Sequence, residues 1–119
     1  MAELTIQTAS LGAVPVVGLS GELDAYHAPR VNAELDALLA AGKTILIVNL
    51  KRVAYIDSTG LGALVAARKR AHDVGGSLLL VVAPESAVER TFTITGLLGI
   101  FSIFEDEAAA LDAAAKKEG

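Results

Sequence analysis

Ile45-Leu46-Ile47-Val48-Asn49-Leu50 is apolar on both alternations of a strand, and Leu78-Leu79-Leu80-Val81-Val82 repeats the pattern. A half-exposed strand alternates apolar with polar residues, so a run apolar on both sides fits a parallel strand covered on two faces. Between the two runs a helical pattern extends from about Thr59 to Asp73, and Gly75-Gly76 ends it. Strand, helix, strand in that order is a right-handed crossover unit, which makes this an α/β chain with a parallel sheet at its centre.

The flanking segments complete the frame. Leu4 and Ile6 alternate with Thr5 and Gln7, and a turn containing Gly12 leads into Val14 to Leu19, which predicts an antiparallel hairpin. Pro29 marks the first turn of a helix, and Val31, Leu35, Leu38 and Leu39 recur at helical spacing until Gly42. After Pro84 a third helix carries Val88 and Phe92 and stops at Gly96. Ile100 to Phe104 then reads as a short last strand. Asp106 opens a final helix, acidic at its start and carrying Lys116 and Lys117 at its end, a polarity that complements the helix dipole. The expected architecture is one α/β domain over residues 1–119. Its mixed sheet has four to five strands, a hairpin followed by parallel strands, with about four helices.

Composition narrows the function. At 119 residues there is room for one core, and 53% hydrophobic against 20% charged residues gives that core ample material. A net charge of -4 leaves no broad positive field, so neither nucleic acid nor an anionic membrane is an expected partner. The basic run Arg68-Lys69-Arg70 reads as a solvated helix face. With 0 cysteines there is no disulfide framework and no thiolate metal site. Met1-Ala2-Glu3-Leu4-Thr5 lacks the start of a signal peptide, and no apolar stretch is long enough for a bilayer, so a cytoplasmic location is expected.

Chemistry-bearing residues concentrate in Tyr55-Ile56-Asp57-Ser58-Thr59-Gly60-Leu61-Gly62, between a buried strand and a helix. Asp57 or Ser58 can cap the helix's free N–H groups, and capping alone is a sufficient explanation for one of them. On a helical wheel Gly60, Ala63, Leu64, Ala67 and Ala71 share a small-residue face suited to the sheet. The opposite stripe holds Ser58, Gly62, Val65, Ala66 and Lys69, unusually small and apolar for a face meant to meet water. It fits either a docking surface or a helix buried on most sides. Gly21-Glu22-Leu23-Asp24 follows the second strand as Asp57-Ser58 follows the third, and in open sheets functional groups gather beyond the strands' carboxyl ends. Asp24 is open to two readings, a member of that cluster or a turn carboxylate before the Pro29 helix.

Enzymatic signatures fail. Gly42-Lys43-Thr44 lacks the earlier glycine of a phosphate-binding loop, since Ala37 stands there. Gly60-Leu61-Gly62 lacks the third glycine of a dinucleotide fingerprint, since Val65 stands there. Ile56 breaks the Gly-x-Ser-x-Gly nucleophile pattern. His27 and His72 have no second metal ligand at suitable spacing and are read as surface residues, His27 standing near enough to Asp24 to touch a partner. No cofactor, metal or catalytic activity is expected.

The run Asp57-Ser58-Thr59-Gly60-Leu61-Gly62 resembles the phosphorylation-site motif of STAS domains of the bacterial anti-sigma-factor antagonist type. Gly21-Glu22-Leu23-Asp24 resembles that family's second signature, and Thr95-Gly96-Leu97 before Ile100-Phe101 resembles its ending. The likeness spans essentially the whole chain, with a departure at Leu98-Gly99, where such proteins often carry polar residues. The resemblance implies a partner switch. The unphosphorylated protein, a monomer when free, binds an anti-sigma factor with serine kinase activity, which then releases its sigma factor. Phosphorylation of Ser58, with Thr59 as the alternative, ends the binding, and a serine phosphatase restores it. The implied partner face comprises Asp24, Asp57, Ser58, Thr59, Gly60, Leu61, Gly62, Val65, Ala66 and Lys69. The alternative is a STAS-like interaction subunit of a transporter or signalling scaffold that is never phosphorylated.

Overall fold

The computed structural model describes residues 3–118; Met1, Ala2 and Gly119 lie outside the described residues, and with them the two ends of the expected 1–119 domain and the start of the N-terminal reading. The elements are β1 (Leu4–Leu11), β2 (Val14–Leu23), α1 (Ala28–Ala40), β3 (Ile45–Ile56), α2 (Ser58–Asp73), β4 (Ser77–Val81), α3 (Ala87–Thr95), β5 (Ser102–Phe104) and α4 (Glu107–Glu118). The strands form one sheet in the order β1-β2-β3-β4-β5. β1 pairs antiparallel with β2, and every later pair is parallel.

Local chemistry explains the boundaries. Gly12, at φ 62°, begins the two-residue turn between Leu11 and Val14, where a hairpin whose turn matches strand twist needs a positive φ. α2 ends at a left-handed Gly75. The Gly76 amide donates to the Ala71 carbonyl at 2.8 Å and the Gly75 amide to His72 at 2.9 Å, the paired bonds of a Schellman stop. In α3 the Ser86 hydroxyl accepts from the Glu89 amide at 3.1 Å, and the left-handed Gly96 closes the other end.

The sheet separates two apolar layers. On its near face Leu19, Leu23, Leu46, Val48 and Leu80 meet Val31 and Leu35 of α1, Leu64 and Ala67 of α2, and Val88 and Phe92 of α3. On its far face Val14, Val16, Ile47, Leu79 and Val81 meet Ala110 and Ala114 of α4. β3 and β4 are therefore covered on both sides, the reason their sequences are apolar on both alternations.

Two strands depart from the sequence reading. β3 continues six residues past Leu50, because Gly18 pairs with Asn49 and Ser20 with Arg52, so β3 takes three steps against two on β2. A second slip follows between Gly21 and Glu22, paired with Val53 and Tyr55. Leu50, Val53 and Ile56 thus keep to the near face at a spacing of three, which breaks the period-two signal. β5 starts at Ser102 rather than Ile100, because Phe101 turns into the near core and meets Phe92 edge-on with ring centroids 5.5 Å apart.

The way α2 seats on the sheet yields a paired prediction. A Cβ on Gly60 would stand 2.3 Å from the Leu23 carbonyl oxygen, whereas one on Gly62 would meet nothing within 4 Å. Gly60→Ala should therefore destabilise by about 1–3 kcal/mol through overpacking. Gly62→Ala should stabilise by roughly 0.5–1 kcal/mol through helix propensity. Urea unfolding of both variants checks this, and equal effects would refute the seating described.

Candidate site at the start of the second helix

Parallel pairing carries β2 and β3 to the same level, with Leu23 opposite Ile56, so Asp24 and Asp57 leave adjacent strand ends. The main chain stays joined one step further, where the Asp57 amide donates to the Leu23 carbonyl at 3.3 Å. Asp57 then caps α2. Its Oδ1 accepts from the Gly60 amide at 2.8 Å, and its Oδ2 accepts from the Ala25 amide at 3.1 Å. One carboxylate fastens the helix start to the loop leaving β2.

Since Asp57 is the cap, the hydroxyls beside it are spare. Ser58 and Thr59 are exposed at the first two helical positions, and neither side chain makes a hydrogen bond among the described residues. Gly62, Val65, Ala66 and Lys69 continue the exposed stripe down α2. Lys69 pairs with Asp73 at 3.1 Å on the open surface, a contact worth only a fraction of a kcal/mol, about 0.3–0.5. Leu61 and Gly60 depart from the expected partner face. Leu61 is 5% exposed within the near core, and Gly60 is pressed on Leu23, so both are positioning residues of the helix.

Asp24 is held within its own turn. Its Oδ1 accepts from the His27 amide at 3.0 Å and lies 2.8 Å from the His27 Nδ1. His27, expected at the surface, is 5% exposed; its ring is drawn inward by that bond and covered edge-on by Tyr26 at 5.0 Å. His72 is exposed. Burial acts to raise the Asp24 pKa. The bonds from the His27 amide and ring, attraction to that ring and a bond from the Tyr26 amide outweigh it, so the carboxyl ionises below its ordinary 3.8.

Two exposed residues were left out of the expected partner face. Tyr26, 78% exposed, follows Asp24 by two positions, and Tyr55, 51% exposed, precedes Asp57 by two. A large aromatic held in water beside a polar cluster is the signal that points to them.

The lowered Asp24 pKa fixes the sign of a pH effect. Its ionised bonds to His27 contribute stability at and above the ordinary carboxylate range, and that contribution is lost as pH falls through the lower folded-state value. Thermal melts of wild type and Asp24→Asn should therefore differ above pH 3.8 and converge in stronger acid. A gap that persists there would refute the account.

Residues 5–110 match the family described as STAS domain. The anti-sigma-B factor antagonist of Bacillus subtilis strain 168 is 42% identical over 87 residues, covering 73% of this chain and 78% of that protein. The anti-sigma-B factor antagonist of Staphylococcus aureus strain NCTC 8325 is 33% identical over 102 residues, covering 86% of this chain and 94% of that one. Among solved structures, an anti-sigma factor antagonist from Mycobacterium paratuberculosis superposes with a TM-score of 0.85 at 26% identity, over 95% of each chain. Helix, strand order and sequence agree, and the chain belongs to the STAS domain family.

Proposed function

We propose that this chain is an anti-sigma-factor antagonist: unphosphorylated, it binds an anti-sigma factor that is also a serine kinase and so frees a sigma factor, and phosphorylation of Ser58 ends the binding. A serine phosphatase reverses the switch. The observation that carries this reading is the spare, exposed hydroxyl of Ser58 at the first position of α2, beside a carboxylate that already does the capping. The two relatives named as anti-sigma-B factor antagonists support the partner class.

The docking surface in this reading runs from Asp24 and Tyr26 across Ser58 and Thr59 to Gly62, Val65, Ala66 and Lys69. Its centre is small and apolar, so a partner helix or loop can approach closely. Catalysis by Ser58 is disfavoured, because no histidine bonds its hydroxyl among the described residues, and the His27 ring is engaged by Asp24. In this reading the chain acts in the cytoplasm, where its partner is found.

Magnitudes favour a switch without refolding. A phosphoserine adds roughly 1.5 to 2 negative charges, and a helix N-terminus holds such charge with a gain of about 0.3–1 kcal/mol, so the free fold tolerates it. At about 5 Å from another carboxylate, each unit pair costs about 0.8 kcal/mol in water. The same pair costs on the order of 3 kcal/mol at an effective dielectric near 20, once a partner covers it. With Asp57 and Asp24 both at this end of the sheet, the rise on binding reaches the roughly 4 kcal/mol of a thousandfold loss.

Ser58→Asp should thus melt within a few degrees of wild type yet lose at least about a hundredfold in affinity for the anti-sigma factor by calorimetry, while Ser58→Ala keeps it. Undiminished binding by Ser58→Asp would sink the switch. With the kinase and ATP, intact mass should rise by one phosphoryl group in wild type and not in Ser58→Ala. An unmodified wild type would favour an unphosphorylated interaction subunit. Separately, Val65→Glu should weaken binding by about tenfold or more at unchanged thermal stability, and Tyr26→Ala by a similar factor with a small loss of thermal stability from uncovering His27; normal binding by both would move the interface elsewhere.

A further inference from the structure

α4 covers only part of the sheet's far face. Toward the carboxyl ends of β2 and β3 the same face is open and polar, and Thr5, Gln7, Ser20 and Asn49 surround a pocket of about 510 Å³. That volume lies within the roughly 300–1,000 Å³ usual for small-ligand sites.

Gly18 lies on the pocket wall in mid-strand, where glycine is unfavourable unless something needs it. No fold requirement is evident. Gly18 is not among the residues with positive φ, and a Cβ there would meet only the Gln7 carbonyl oxygen at 3.5 Å, an ordinary contact. Val16 faces α4 and Val17 the near core, so by alternation a side chain at position 18 would project from the far face into the pocket. The missing side chain keeps that space open.

The bulge in β3 supplies the charge. Lys51 and Arg52 are consecutive, and a regular strand would turn them to opposite faces, yet both line the pocket. Asn49 braces the bulge. Its Oδ1 accepts from the Lys51 amide at 2.9 Å, and its Nδ2 donates to Glu107 Oε2 of α4 at 2.6 Å. Among the described residues neither Lys51 nor Arg52 has an ion-pair partner, and the lining's one carboxylate, Glu107, is bonded to Asn49.

We propose that this pocket binds a small hydroxylated phosphate monoester, of sugar-phosphate size. Lys51 and Arg52 take the phosphate as charge-assisted donors, and Thr5, Gln7 and Ser20 meet the hydroxyls. No aromatic ring lines the pocket, so it offers no stacking platform for a nucleobase. The site lies on the face of the sheet opposite α2 and does not rest on the reading of Ser58.

The test is an amide-resolved NMR titration of the full chain with glucose 6-phosphate, with glucose and inorganic phosphate as separate arms. Saturable shifts at Thr5, Gln7, Gly18, Ser20 and Asn49 are expected, with both control arms at least about tenfold weaker. Lys51→Gln with Arg52→Gln, and separately Gly18→Val, should weaken the sugar phosphate by about tenfold or more. Gly18→Val should also melt no lower than wild type, since a β-branched residue suits that strand position. Four results overturn the proposal: no shifts, shifts indifferent to the variants, inorganic phosphate binding as well as the ester, or a Gly18→Val protein that melts lower.

Discussion

The parallel pairing of β2 with β3 is the constraint from which the site follows. Because Leu23 and Ile56 end their strands side by side, the loops that leave them emerge at one level, and a single carboxylate can reach both. Asp57 does so, one oxygen on the Gly60 amide and the other on the Ala25 amide. Two charge-assisted bonds from backbone donors, each worth about 1.5–3 kcal/mol, lock the helix start against the sheet end. Gly60 completes the lock from below, with no room for even a methyl group against Leu23. Every other feature of this end of the molecule is arranged around a start of α2 that cannot shift.

The sheet also divides the labour between its faces. Its near face carries the larger core and three helices, and α2 exposes the outer stripe described above. Its far face is sealed by α4 over one half and left polar over the other, with Asn49 tied to Glu107 at the seam. β3 serves both faces. Its first half is buried on both sides, its bulged second half turns cations to the far side, and its end delivers Asp57 and Ser58 to the first turn of α2.

How much of this the bare sequence reveals depends on whether a feature repeats with a regular period. The doubly apolar runs at Ile45 and Leu78, the wheel of α2 and the glycine stops at Gly75 and Gly96 are all periodic or punctual signals, and the order of elements follows from them. The extension of β3 was hidden because bulges replace the spacing of two by a spacing of three among Leu50, Val53 and Ile56. His27 was misread for another reason. Its burial depends on the Asp24 carboxylate and the Tyr26 ring, contacts that exist only once the turn has formed. Within the site motif, sequence adjacency grouped Gly60 and Leu61 with Ser58. A helix turns successive residues by about 100°, which sends those two inward and leaves Ser58, Gly62 and Val65 outside.

The rigidity of the site decides what kind of switch it can support. A segment that orders or melts on modification needs slack, and the first turn of α2 has little, being held by the Asp57 cap, the wedged Gly60 and the buried Leu61. Charge added at Ser58 therefore has no compliant element to move. It meets an end of the sheet where the Asp57 carboxylate already holds the Gly60 and Ala25 amides, and where bonds from His27 favour the ionised form of the second carboxylate, Asp24. In water the fields of these groups are screened and the molecule bears them at small cost. Only a surface that excludes water raises that cost to several kcal/mol, so in the proposed switch a charge added at Ser58 would act on the complex rather than on the fold, through any partner that covers both carboxylates at once.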